Sequence, residues 1–211
     1  MARYLQTLEN SCGAVALMCA AHELGVTKLR KLERAELTKG WTPMADTNGV
    51  SNALEGWSGE ELDALFPCKT VEDAIYAITS GDLASYSMPS RVVACARFLG
   101  LESDIYVPSG FLKSILLYRY PRELGNCQTQ PNVNIFKNQS PGAVVDEREL
   151  IILTTKLIGL HYVMKRPRRH HPYMDPGDGQ DHASFDAMNS GLKLYKDTHI
   201  SIIVRKRTKF I

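Results

Sequence analysis

Residues 6–25 read QTLENSCGAVALMCAAHELG. Small and aliphatic residues dominate from Cys12 onward, and apolar side chains fall on every side of a 3.6-residue period. A helix apolar all round has no solvated face, so 11–24 is expected to be a central, buried helix. Asn10 or Ser11 is the expected N-cap, and Gly25 supplies the left-handed residue that ends a helix. Cys12 then falls in the first turn. There the unpaired backbone N–H groups and the positive end of the helix dipole favour a thiolate, which is a strong nucleophile. A buried cysteine is more often a small core residue, so the reading depends on its surroundings. Gln6 lies six positions upstream, where its amide N–H can point at an oxygen that turns negative during attack on an amide. The N–H of Cys12 supplies a second donor. Gly13 leaves room for a substrate to approach the sulfur.

Outward from this helix, a charged helix is expected over 28–39, with Thr27 as its cap, and short helices broken by Gly and Pro over 40–70. Trp41 and Trp57 flank that region as packing or cleft residues. Further helices are expected over 70–80 with Thr70 as cap, over 88–100 with Pro in its first turn and Gly at its end, and over 109–124 with a disturbance at Pro121. ESDIYV, 102–107, has the make-up of a short strand. The polar stretch 125–148 is expected to be a long loop. After Glu149 the pattern changes to short β-rich runs, LIILTTKLI, LHYVMKR, PYMD, GLKLY and HISIIVRKR, separated by turn residues. Segregated helices and strands predict an α+β fold in one domain, 1–211, with a mainly helical part over 1–148 and a β-rich part over 149–211.

The chain has 211 residues, 44% of them hydrophobic and 23% charged, which is enough apolar surface for a packed core and excludes a wholly disordered chain. Twenty-five basic against 23 acidic residues, net +2, give no bias toward nucleic acid. No apolar run is long enough for membrane insertion. The N-terminus has no signal-peptide pattern, which predicts a cytoplasmic location; delivery into another cell by a specialised secretion system needs no such pattern. Five cysteines without a C-x-x-C pair predict reduced thiols, with Cys19, Cys68, Cys95 and Cys127 as packing residues.

A thiol nucleophile needs a base. Of six histidines, His22 is about 15 Å along the helix from Cys12 by axial rise and cannot reach it. His161 opens the run HYVMKR after Gly159, and a strand end holds an imidazole rigidly. Asp175, in PYMDPGDG, is placed to return beside His161, fixing its tautomer and stabilising the imidazolium.

This set of blocks resembles the papain-like cysteine peptidase superfamily, most closely the bacteriocin-leader-processing peptidase domains and the injected cysteine-protease effectors of bacteria. Gln6 through Gly25 resembles the first block, His161-Tyr-Val the second and Tyr173-Met-Asp175-Pro-Gly-Asp-Gly the third. The resemblance covers about 40 residues by these motifs. It implies Cys12 as nucleophile, His161 as general base and acid, Asp175 as orienting group and Gln6 as oxyanion donor. It also implies a papain-like fold, with the nucleophile at the start of a central buried helix packed on a C-terminal antiparallel sheet. The expected substrate is a protein or peptide, with Gly13 and Leu160 as substrate-contacting positions and no cofactor or metal required. The stretch between Cys12 and His161 is longer than in a minimal leader peptidase, and its extra helices are expected to form a substrate-recognition insertion.

The same triad serves a glutamine deamidase or an acyltransferase, and a binding module on the same fold would leave Cys12 merely buried. The cluster His170, His171, Asp175, Asp178, Asp181 and His182 invites a metal reading, but its spacing matches no common site. KRPRRHH, 165–171, and the C-terminal RKRTK are expected to be solvated charge runs rather than a nucleic-acid surface.

Overall fold

A computed structural model of the chain describes residues 2–26, 71–80, 85–110, 114, 116, 118–155, 159–191 and 193–207. The helices expected within 28–39 and 40–70, the caps Thr27 and Thr70, and Trp41, Trp57 and Cys68 lie outside the described residues.

The opening helix forms as its composition dictates. α1 spans Cys12–Glu23, and every residue from Cys12 to Ala21 is buried. Ser11 stands at the N-cap but does not cap with its side chain; its Oγ donates to the Glu72 carboxylate at 2.5 Å instead. At the other end Gly25 takes φ +76°. That conformation lets the N–H groups of Gly25 and Val26 reach the carbonyls of His22 and Ala21, closing the helix as expected.

α2 (Val71–Ser80) and α3 (Pro89–Phe98) follow. Pro89 opens α3, and Gly100 at φ +80° turns the chain into β1 (Leu101–Tyr106). The expected helix over 109–124 is divided. Helical hydrogen bonds run from Ser114 N to Gly110 O and from Tyr120 N to Leu116 O. A separate α4 (Glu123–Gln128) begins after Pro121, whose ring cannot continue the hydrogen-bond ladder. The stretch expected to be one long loop therefore contains most of α4 and also β2 (Val133–Phe136). Four-residue strands at an edge leave little periodicity to detect.

The last third supplies β3 (Glu147–Thr155), β4 (Gly159–Lys165), β5 (Tyr173–Asp175), β6 (Gln180–His182), a one-turn helix α5 (Phe185–Met188) and β7 (Tyr195–Lys206). Of GLKLY, expected as a strand, only Tyr195 among the described residues belongs to one, β7. The seven strands make one sheet in the order β2-β1-β7-β3-β4-β5-β6. Every pairing is antiparallel except β1 with β2, which is parallel. The sheet thus holds the expected antiparallel C-terminal strands and two more from the helical part. β3 is buried from Arg148 to Thr154 because it is central and covered on both faces, which explains its nearly continuous apolar run.

Strand alternation divides these side chains between two cores. Leu150, Ile152, Leu160, Tyr162, Met164, Ile200, Ile202 and Val204 pack with α1, α2 and α3 in the main core. Ile151, Leu153, Val163, Met188 and Tyr195 form a smaller cluster, with Tyr173 and Phe185 packed against it. The fold is α+β, with the helices α1–α3 on one face of a mixed sheet.

Arg166 corrects the reading of 165–171 as a wholly solvated run. Arg168 through His171 are exposed, but Arg166 is buried. Its Nε donates to Glu23 Oε1 at 2.7 Å, Nη1 to Asp181 Oδ1 at 2.6 Å and Nη2 to Ala2 O at 2.7 Å. Arg148 Nε donates to the other oxygen of Glu23 at 2.7 Å. One buried guanidinium thereby ties the end of α1, strand β6 and the N-terminal segment together, and the bidentate reach of arginine suits that task. Arg205, in the expected basic tip, pairs with Asp104 at 2.5 Å.

Candidate active site

The site assembles at one end of the sheet, where the first turn of α1 meets the start of β4. Gly13 is what allows that approach. A Cβ there would lie 2.5 Å from Ser87 Cβ and 3.1 Å from the Tyr162 ring, so the absent side chain lets the first turn of α1 lie against Ser87 and β4. Gly13, expected to leave room for substrate, packs against Ser87 and Tyr162. The Cys12 thiol hydrogen-bonds to the Leu160 carbonyl at 3.8 Å, and Cys12 is buried.

His161 follows Leu160 and points to the opposite face of β4. Its Nε2–H donates to Asp175 Oδ1 at 2.7 Å, and the Cys12 sulfur lies close enough to the ring to act on its charge. With Nε2 engaged by the carboxylate, Nδ1 is the nitrogen left for the sulfur. The ring stacks on Tyr195, with centroids 4.7 Å apart and planes 13° from parallel. Burial alone would lower the imidazole pKa. The neighbouring Cys12 sulfur and the hydrogen bond to Asp175 outweigh it and raise the pKa to about 9, so the imidazolium persists at neutral pH.

Asp175 is fully buried on β5 and is held from several sides. The Gly177 N–H donates to Oδ1 at 2.8 Å and Lys193 Nζ to Oδ2 at 2.8 Å. Burial would raise its pKa, but the bonds from His161, Lys193 and Gly177 hold the carboxyl well below the usual carboxylate range. A Cβ on Gly177 would meet Asp175 Oδ1 at 3.1 Å and the Tyr195 hydroxyl at 3.2 Å, so this turn admits little beyond glycine.

Lys193 also reaches Asp178 Oδ2 at 2.5 Å, and His182 Nε2 lies 3.0 Å from the same oxygen. Asp175, Asp178 and His182 come close enough to share a cation. The Lys193 ammonium bridges the two carboxylates of that group. Of the other residues weighed for a metal, Asp181 belongs to the Arg166 network, and His170 and His171 are exposed.

Gln6 reaches the same corner through the backbone. Its N–H donates to Pro176 O at 2.9 Å, one residue from Asp175. Its Nε2 donates to Leu8 O at 3.2 Å, and its Oε1 is buried without a partner. The structure therefore brings His161 and Asp175 together beside Cys12, and holds Gln6 by its backbone to the residue after Asp175. Leu160 contributes its carbonyl to Cys12, while its side chain lines an apolar cavity of about 60 Å³ with Met88, Leu116, Tyr120 and Ile200.

Sequence reasoning missed Lys193, Tyr195 and Gly177. The turn pattern DPGDG carried a signal for Gly177. Nothing local pairs Lys193 or Tyr195 with Asp175, because their proximity depends on how β7 is laid into the sheet. Of the other cysteines, Cys19, Cys95 and Cys127 are buried free thiols. Burial pushes Cys19 up to about 12 and the other two higher still.

Residues 4–207 match the family model described as invasion plasmid antigen J, cysteine protease. A curated relative from Shigella flexneri, "Cysteine protease IpaJ", is 28% identical over 202 residues, which are 89% of this chain and 69% of that protein. No solved structure matches the chain.

Proposed function

The chain belongs to the invasion plasmid antigen J family of cysteine proteases and is a cysteine-dependent peptidase; from this premise we propose that Cys12, His161 and Asp175 form its catalytic triad, with Gln6 as the oxyanion donor. The observation that carries the assignment is the buried His161–Asp175 pair at 2.7 Å, with the Cys12 sulfur at the helix start near enough to the same ring to raise its pKa.

The chemistry follows from these groups. The Cys12 sulfur attacks the carbonyl carbon of a peptide bond, forming a C–S bond and moving the carbonyl π electrons onto oxygen. Two donors receive that oxyanion, the Gln6 side-chain amide and the Cys12 N–H. The Gln6 amide carries two N–H bonds, and one remains beyond that given to Leu8. The Cys12 N–H lies in the first turn, where no intrahelical acceptor exists. His161 gives its proton to the departing amine, the C–N bond breaks, and a thioester remains. Water, losing a proton to His161, then attacks the thioester and releases the acid and the sulfur. Asp175 holds the ring through Nε2–H in every step, with Lys193, Gly177 and Tyr195 holding Asp175 and the ring. Leu160 lines a subsite for an apolar substrate side chain. We assign the whole chain to one papain-like domain, in which the stretch between Cys12 and His161 includes an insertion that recognises the protein substrate. The free thiols among the described cysteines support action in a reducing cytoplasm, the cell's own or one into which the protein is delivered.

This assignment has a pH signature. The His161 pKa is raised from 6.5 to about 9, so the imidazolium that protonates the leaving amine disappears as pH climbs through about 9. The kcat/KM profile is expected to fall along an alkaline limb near that value. Asp175→Asn removes a hydrogen bond and a charge that raise the imidazole pKa, so the limb is expected to move toward neutrality as the plateau drops. An alkaline limb that keeps its position in Asp175→Asn contradicts the assignment. The linkage has the same sign for stability. The contribution of His161 is complete below 6.5 and is lost as pH rises through about 9.

A further inference from the structure

We infer that Glu72, on α2, is a positioning residue for the Gln6 oxyanion donor, acting through the turn that joins Gln6 to Cys12. The inference rests on the roles proposed for those two residues. Glu72 is wholly buried, and its carboxylate is spent on this turn. Oε1 accepts from Thr7 N at 2.9 Å, Leu8 N at 3.2 Å and Ser11 Oγ at 2.5 Å. Oε2 accepts from Thr7 Oγ1 at 2.6 Å and Thr7 N at 3.2 Å. Every one of these donors lies in the five residues between Gln6 and Cys12.

A buried carboxylate is costly unless hydrogen bonds replace its hydration. Here those bonds come from a turn with no regular structure of its own, so the carboxylate serves as its template. Leu8 is the relay. Its N–H is held by Glu72, and its carbonyl accepts from Gln6 Nε2 at 3.2 Å and from Ser11 N at 3.4 Å. Moving Leu8 moves the Gln6 amide. An oxyanion donor loses its effect with displacements of well under an ångström, whereas Cys12 and His161 are fixed separately by α1 and β4. Glu72 therefore sets the geometry of acylation without setting the reactivity of the sulfur.

Two reactions of the same sulfur separate these roles. Hydrolysis of a peptide passes through an oxyanion. Alkylation by iodoacetamide displaces iodide at a CH2 carbon and forms no oxyanion. In Glu72→Gln, an NH2 group replaces one acceptor and faces N–H and O–H donors. On a peptide that the parent enzyme cleaves, kcat is expected to fall about 10- to 100-fold with KM within about threefold. The Cys12 alkylation rate is expected to stay within about twofold of the parent, and inhibition by a peptide aldehyde, whose adduct carries the same oxygen, is expected to weaken along with kcat. Equal losses in hydrolysis and alkylation would mean a general disruption of the site and overturn the inference, as would an unchanged kcat. If Glu72→Gln does not fold, Thr7→Val and Ser11→Ala each remove one donor and take the same test. Lower kcat with preserved alkylation supports the inference, and full kcat in both overturns it. Gln6→Ala distinguishes the two levels. A fully active Gln6→Ala removes the oxyanion assignment beneath the inference, whereas an impaired Gln6→Ala beside an intact Glu72→Gln removes the inference alone.

Discussion

Cys12→Ala is expected to reduce peptide hydrolysis by at least about 10⁴-fold, a loss of roughly 5 kcal/mol of transition-state stabilisation. Without the sulfur no acyl intermediate forms, and an unaided water cannot use a site shaped around a sulfur on the helix tip. The fold is expected to survive. Cys12 lies in the first turn of α1, and its sulfur makes one long hydrogen bond, 3.8 Å to Leu160 O. Removing that atom costs about 1 kcal/mol, less than a buried aliphatic truncation. The measurement pairs steady-state hydrolysis with thermal melting. Inactivity with a nearly parental melting temperature is the expected result. Retained hydrolysis would move the nucleophile elsewhere. Cys12→Ser tests the same point from another side, since a hydroxyl fits the space but is far less nucleophilic beside this imidazole.

The second large effect is at His161. His161→Ala is expected to lower kcat/KM by about 10³- to 10⁴-fold, because the leaving amine loses its proton donor and the sulfur loses its counter-charge. It also leaves Asp175 buried without its imidazole partner, although Gly177 and Lys193 still hold the carboxylate. A moderate loss of stability is therefore expected alongside the catalytic loss. Added imidazole at millimolar levels is expected to restore part of the activity, since the vacated space lies between Cys12 and Asp175. Activity of His161→Ala within about tenfold of the parent would contradict the assigned role.

The α1 block could be read from sequence because its information is local. A helix apolar on every side has one physical home, and Gly25 ends it for a steric reason. Cys12 at its start then follows from counting residues. His161 and Asp175 could be read because a short β4–β5 hairpin brings them together, with Met164 paired to Met174. What escaped the sequence is non-local. β1 and β2 enter the sheet from the helical part, and nothing in ESDIYV or VNIF states that their partners are β7 and each other. Arg166 sits in a run whose other arginines are exposed, and its burial depends on Glu23 lying 143 positions earlier in the chain. Lys193 falls within an expected strand, yet its position beside Asp175 and Asp178 is set by the turn before β7. GLKLY differs for the same reason: among its described residues only Tyr195 is laid into a strand.

The most direct test of the paired sulfur is a labelling race among the protein's own cysteines. Native protein is exposed to limiting iodoacetamide at neutral and mildly acidic pH, digested, and analysed by mass spectrometry. Cys12 is expected to react at least about 100-fold faster than Cys19, Cys95 and Cys127, whose thiols burial holds protonated, and to lose that advantage in His161→Ala. A Cys12 that reacts no faster than those three, or as fast without His161 as with it, would contradict the pairing of sulfur and imidazole.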